Sequence, residues 1–348
     1  MKKSTIIAIL VLIAGLLLIT LGLASLRGNW AKLNGKKTSG RYVGRTYTCS
    51  GMITSLSGTE SYEGIKIQTG NVSTPVIEYW YDERHEDPMK FSEEGGKLTF
   101  EREKESFNFD FNFGFNYQDT TTVITLPKDF DGELEAKCTS GSVRLEGVKT
   151  KENITLKSSS GYVKAENAEC KDFFAKATSG SIKLVNINAS GNLDAHNNSG
   201  SISAEDLDVS GSVTLGNTSG SLKATNVECA DLSAENSSGG IRLSDVEAED
   251  FVETKTTSGS IKLEKVVSSS IKSSNSSGGI SIDDIKADAI DLRATSGSIH
   301  GDIDGKESDY SIVSSTTSGS NNLNGSRSGS KTLDVHTHSG SVHITFNK

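Results

Sequence analysis

Over most of this chain apolar and polar residues alternate in short runs. Ser181-Ile182-Lys183-Leu184-Val185-Asn186-Ile187 and Leu193-Asp194-Ala195-His196-Asn197 are typical. Period-two alternation predicts half-buried strands rather than helices. The runs repeat. Eleven Ser-Gly pairs recur at Gly141, Gly161, Gly180, Gly200, Gly220, Gly239, Gly259, Gly278, Gly297, Gly319 and Gly340, at intervals of 19 to 22 residues. A fixed period near 20 predicts a solenoid.

Aligned on their glycines, the repeats form columns. Two apolar positions follow each glycine, as in Ile202 and Ala204, Leu222 and Ala224, Ile241 and Leu243. The seventh position is apolar again: Val148, Ala168, Ile187, Leu207, Val227, Val246, Val266, Ile285. Three residues before the glycine stands a small or amide column, Ala177, Asn197, Asn217, Asn236, Thr256, Asn275, Ala294. We expect it to point inward, with Asn amides bonding along the stack; an exposed Asn row at a turn is the alternative. The glycines mark one corner, where positive φ suits glycine. Asn167, Asn186, Asp206, Asn226, Asp245 and Asp284 mark a second, because Asn and Asp make local turn bonds. No proline follows Pro127, as expected where backbone N–H groups pair between coils.

The expected fold is therefore all-β: a single parallel β-solenoid of about 11 coils over residues 137–348. Such a rod would be roughly 50 Å long at ordinary strand spacing. The right hand is expected, because parallel crossovers favour it. Residues 51–136 lack the repeat but carry four short strand patterns, Ile65-Lys66-Ile67, Val76 to Tyr79, Lys97 to Phe100 and Val123 to Leu126. A solenoid needs its first coil covered, so this segment is the expected amino-terminal β cap.

The start of the chain is of another kind. After a short tail, residues 1–5, the run 6–26 is apolar and uncharged, long enough to span a bilayer. We expect an uncleaved transmembrane signal anchor; a cleaved signal peptide with Gly22-Leu23-Ala24 at its end is the alternative. A basic linker, residues 27–50, follows with Arg27, Lys32, Lys36, Lys37, Arg41 and Arg45. Those charges taken alone would hold the rod in the cytoplasm, although long domains translocate regardless of flanking charge. The expected localisation is the cell membrane, single-pass, with the solenoid extracytoplasmic. The basic flank could lie on anionic lipid.

Composition narrows the chemistry. The formal charge is −9 over 348 residues, and nucleic acid, which calls for a basic patch, is not an expected partner. Aromatics are 6%, which suits a slender stack. Cys49, Cys138, Cys170 and Cys229 match neither a disulfide framework nor a zinc pattern, and are expected as buried free thiols. No catalytic, cofactor-binding or metal-binding residue is expected. Gly325-Ser326-Arg327-Ser328-Gly329 has the form of a nucleophile elbow but no helix to complete it. His336 and His338 would share a strand face, a weak metal-capturing arrangement at most.

Two surfaces are candidates for interaction. Phe107, Phe109, Phe111, Phe113, Phe115 and Tyr117 alternate with polar residues. They either cover the cap's core or form an exposed aromatic face for a protein, glycan or membrane partner. Arg144, Lys164, Lys183, Lys223, Arg242 and Lys262 would stack as a charged stripe beside Glu146, Glu166, Glu205, Glu264, Asp283 and Asp302. This is either a mutually screened face or a track for an anionic envelope polymer.

The leading apolar run, the cap ending in Val123-Ile124-Thr125-Leu126-Pro127, then Cys138-Thr139-Ser140-Gly141-Ser142-Val143 and the recurring Thr-Ser-Gly-Ser-Ile units resemble the bacterial putative-adhesin family, including LiaG-like envelope proteins. The resemblance covers residues 50 to 348. It implies a β-solenoid, usually membrane-anchored or exported, without defined catalytic residues. The expected function is a non-enzymatic cell-envelope rod for adhesion, scaffolding or stress response. A polysaccharide-acting β-helix enzyme and a cytoplasmic membrane-tethered scaffold are the alternatives. An enzyme would need long loops walling a cleft, which intervals of 22 or less do not supply.

Overall fold

The computed structural model describes residues 42–103 and 119–347. The expected membrane anchor and the Phe107–Tyr117 row lie outside the described residues. Among those described, no helix is long and apolar enough to cross a membrane. The helical content there is one three-residue turn, Glu307–Asp309.

Each repeat winds once around a three-sided stack. Ile182–Ala189 shows how. Ile182 and Leu184 are buried with Lys183 exposed between them, and Ile187 and Ala189 are buried with Asn188 exposed. Simple alternation would turn Ile187 outward. Asn186 prevents this by adopting φ 54°, which bends the strand and resets its alternation. The other expected Asx corners do the same, with φ from 53° to 56°. Lys265 and Gly147 take that conformation where no Asx is present. The first face thus precedes the Asx corner and the second follows it. The third face, such as Leu193–Ser199, leads to the next Ser-Gly corner. Parallel ladders join like positions, Ile182 to Ile202 and Ile187 to Leu207. The apolar columns of all three faces meet in one continuous core.

At the Ser-Gly corner the glycine is required for two reasons. Gly200, Gly220, Gly239, Gly259 and Gly278 have φ between 117° and 145°, a region side chains avoid. The second reason is contact. A Cβ on Gly220 would lie 2.2 Å from the Gly200 carbonyl oxygen, and on Gly180, 2.0 Å from that of Gly161. Backbone lies directly on backbone here.

The column before the corner is inward, as expected: Asn197, Asn217, Asn236 and Asn275 are buried. Their amides do not bond to one another. Nδ2 of Asn217 donates to Gly200 O at 3.0 Å and to Ser221 O at 3.3 Å. Asn236 and Asn275 repeat that pair of bonds. The corner carbonyls outcompete the neighbouring amide, and Oδ1 of each Asn has no partner. Ser158, Thr256 and Thr337 serve the same carbonyls through a single hydroxyl.

Chain order and stacking order part company at both ends. Ser55–Glu60 lies between Lys97–Arg102 and Glu133–Cys138. Ile65–Gly70 lies between Thr122–Pro127 and Val143–Glu146. The later segment therefore forms the outer coil. The carboxyl end mirrors this: Lys331–Ser339 is inserted between Ala289–Ser296 and Tyr310–Ser318, and Val342–Phe346 lies on Ile299–Ile303. The outermost coils are in turn covered by antiparallel pieces. Val76–Asp82 pairs with Thr122–Pro127, Met89–Glu94 with Lys97–Arg102, and Ser326 bridges Ile312. Such cover blunts open strand edges. Phe100 fills the end of the core over Gly58, whose Cβ would sit 2.2 Å from the ring.

Two substitutions separate the two demands on glycine. Gly220→Ala should cost about 2–4 kcal/mol, strain plus overlap. Gly95→Ala should cost about 1 kcal/mol, because Gly95 has φ 57° with nothing within 4 Å. Equal losses in urea denaturation would refute the contact argument. Asn217→Ala should cost about 1–2 kcal/mol by leaving the Gly200 carbonyl unpaired, while Asn217→Thr should remain near the parent.

Candidate functional site

The six stripe cations fall in one column of the first face. Arg144, Lys164 and Lys183 are consecutive ladder partners. Ser203 interrupts them, and Lys223, Arg242 and Lys262 follow. Strand spacing puts neighbours about 4.8 Å apart, so the stack repels itself unless acids intervene. They do at three places: Lys164 pairs with Glu166 at 2.6 Å, and Arg242 and Lys262 both reach Glu264, at 2.8 and 3.1 Å. The hydrogen bond from Lys262 is the main reason the Glu264 carboxyl is held below its ordinary range. Arg144 instead lies over the Tyr162 ring, 5.1 Å from its centroid. Lys183 and Lys223 have no ion pair among the described residues; Val185 and Thr225 stand beside them in the acid column. The column thus joins a paired zone to a weakly paired stretch of two lysines around Ser203. Exposed pairs of this kind add little stability.

The second face carries an acidic row, Asp208, Glu228 and Glu247 in register, along a shallow groove of about 420 Å³. Among the described residues no three His, Cys, Asp or Glu side chains gather around a possible metal ion. Gly325 to Gly329 lies on the strand-covered carboxyl end, where Ser326 bridges Ile312, without the turn into a helix that an elbow needs. His336 contacts Ser315 Oγ through Nδ1 at 2.6 Å and meets the Asp334 carboxylate through Nε2. Ser315, His336 and Asp334 are thus in contact order, but Ser315 is exposed on a sheet face, without the water-excluding setting acyl transfer uses. His338 is exposed nearby.

One polar site escaped the sequence reading. Arg102 donates to buried Glu60 from Nε at 2.6 Å and Nη2 at 3.2 Å, while Thr122 Oγ1 donates to Glu60 Oε1. Glu60 is in register with Cys138 and so heads the column that carries Asn197 and Asn217. Arg102 also donates to Trp80 O. The only sequence signal was two charged residues at the ends of strand patterns. Their pairing depends on the inverted stacking order.

All four cysteines are free and buried. Burial pushes Cys138, Cys170 and Cys229 up to about 12, and Cys49 to about 11.

A sheet wound on itself, with repeated surface columns, defines the class: a parallel β-solenoid. The chain belongs to the Toastrack DUF4097 family, whose model matches residues 53–224 and 190–348. The putative-adhesin resemblance is thereby borne out as a β-solenoid family of unknown function. No curated protein matches the chain. Solved structures similar to it include a putative adhesin from Bacteroides fragilis, 12% identical, covering 89% of this chain and 100% of that one, TM-score 0.39. Another is a putative cell adhesion protein from Clostridium sporogenes, 9% identical, covering 88% and 100%, TM-score 0.31. A third is a putative lipid binding protein from Parabacteroides distasonis, 16% identical, covering 88% and 98%, TM-score 0.33.

The thiols give a direct test. A thiol whose pKa is raised by folding stabilises the fold while the unfolded thiol is still protonated. That contribution fades as pH climbs through the unfolded value towards the folded one. Ellman's reagent at pH 8 should therefore label essentially none of the four cysteines in the native chain and all four in denaturant. Stability should decline above about pH 9. Rapid native labelling would refute the burial.

Proposed function

We propose that this is a non-enzymatic, membrane-anchored cell-envelope protein: an adhesin-like or scaffolding rod whose solenoid stands outside the cytoplasm. One observation carries the reading. From Gly141 to Gly297 the coils stack without an excursion longer than the repeat, so the rod offers flat columns rather than a walled cleft. The apolar run 6–26 supplies the anchor, and the adhesin names of the similar structures agree with a surface role. The Phe107–Tyr117 row and the Lys183–Lys223 stretch are the surfaces assigned to partners, the first to a glycan or protein and the second to an anionic envelope polymer. The basic flank of residues 27–45 favours one other reading, a scaffold tethered to the inner face.

Protease treatment of intact cells separates these. The rod should be cut on intact cells; survival until lysis would place it inside. On a glycan and polymer array, changing the five phenylalanines and Tyr117 to serine should abolish glycan or protein binding. Lys183→Ser with Lys223→Ser should weaken retention of anionic polymers several-fold. Retention untouched by either change, in folded variants, would remove both surfaces from the proposal.

A further inference from the structure

The cation column of the first face changes character at the carboxyl end. After Lys262 it continues through Ser281, His300 and His343. His300 and His343 are 43 residues apart in the chain. They become ladder partners because the final coil is inserted against Ile299–Ile303. In simple chain order His343 would instead lie one coil further out.

Both imidazoles are exposed, and among the described residues neither has a hydrogen-bond or ion-pair partner. Of the other histidines on the solenoid faces, His336 contacts Ser315 and Asp334 and His196 lies beside Phe174, while His338 is exposed but has no histidine as ladder partner. Asp302 follows two residues after His300 on the same strand, and Asp283 two residues after Ser281 on the neighbouring one, with the register shifting between them. Asp302 Oδ2 accepts from Asp284 N at 2.9 Å and from Asn347 Nδ2, which holds this carboxylate in place on the strand that carries His300. No lysine or arginine stands in the cation column beyond Lys262.

We propose that His300 and His343 form a binding site for a divalent transition-metal ion of the zinc or nickel class. Imidazole nitrogen is the ligand these borderline ions prefer. Parallel partners stand about 4.8 Å apart. Two rings rising from that base can converge to the roughly 3 Å nitrogen separation set by zinc–nitrogen bonds of about 2.0–2.1 Å. The nearby carboxylates add favourable field. With no third His, Cys, Asp or Glu converging, water completes the coordination. The site is thus suited to exchangeable capture rather than to a closed structural centre. A bound ion would also bridge the inserted final coil to the body of the stack, because its two ligands come from the two sides of that junction.

The test titrates the purified full chain, in detergent, with Zn2+ and with Ni2+ by calorimetry. The expected result is one ion per chain, with His300→Gln and His343→Gln each weakening affinity at least tenfold. His336→Gln combined with His338→Gln should leave it unchanged. Ser281 is the ladder partner of His300 on its other side, so Ser281→His should restore binding in the His343→Gln background. Circular dichroism checks each variant. Absence of binding at millimolar metal would overturn the proposal. So would affinity indifferent to His343→Gln in a folded variant, or failure of the Ser281→His rescue.

Discussion

The structure depends on one contact, repeated: the backbone of each Ser-Gly corner resting on the corner of the neighbouring coil in the stack. The carbonyl oxygens of Gly161, Gly200 and Gly239 occupy the space where a Cβ on Gly180, Gly220 or Gly259 would be, at 2.0 to 2.2 Å. A wider corner would pull adjacent ladders beyond hydrogen-bonding distance, since parallel pairing fixes the spacing at about 4.8 Å. The glycine therefore sets the pitch of the rod. Everything else in the repeat is placed relative to it: the apolar columns that fill the core, the Asx residue that turns the first face into the second, and the side chain that serves the corner carbonyl.

That last role explains a column whose composition looks lax. Ser158, Asn217, Asn236, Thr256, Asn275 and Thr337 all donate to a corner glycine carbonyl of an adjacent coil. Where the column carries a polar residue it is a short buried donor rather than a member of an amide stack, and Ala177 and Ala294 fill the remaining places with a small apolar side chain. Asn supplies a second bond to its own coil, at the cost of an Oδ1 with no partner. At the amino-terminal end Glu60 holds this position and needs Arg102 to neutralise it, a pair whose burial requires every donor to be used.

Much of this was legible in the sequence because periodicity averages over many coils. Eight apolar residues at one offset define an inward column more securely than any single strand pattern could, and six Asx residues at another locate a corner. The resets of alternation at Asn186 and its counterparts were legible as well, once the apolar positions four and seven after the glycine are both taken as inward. What could not be read were features that occur once. Nothing in Ser55–Glu60 or Lys331–Ser339 says that these strands lie directly on the body of the stack, inside the segments that stand between them and it in the chain. Any coil edge presents the same backbone donors and acceptors, so insertion alters no local pattern. The Glu60–Arg102 pair and the His300–His343 pair both arise from that permutation. The charged stripe was legible as a column, but its pairing rested on single departures, Val185, Thr225 and Ser244, where the acid column lapses.

The permuted ends also answer the weakness common to stacked repeats, in which stability is a sum of neighbour terms and an end coil has one neighbour fewer. In a rod wound in chain order, the terminal strand can peel away with the loss of one interface. Here Lys331–Ser339 is held on both sides, by Ala289–Ser296 and by Tyr310–Ser318. Freeing it requires two ladders to open together. Tyr310 closes the exposed end with a buried ring and a hydrogen bond to Ala287 O at 3.0 Å. The amino-terminal inversion gives Ser55–Glu60 the same two-sided hold. The outer coils are left to segments whose own ends are anchored deeper in the stack, so fraying at either tip is bounded by strands that cannot leave singly.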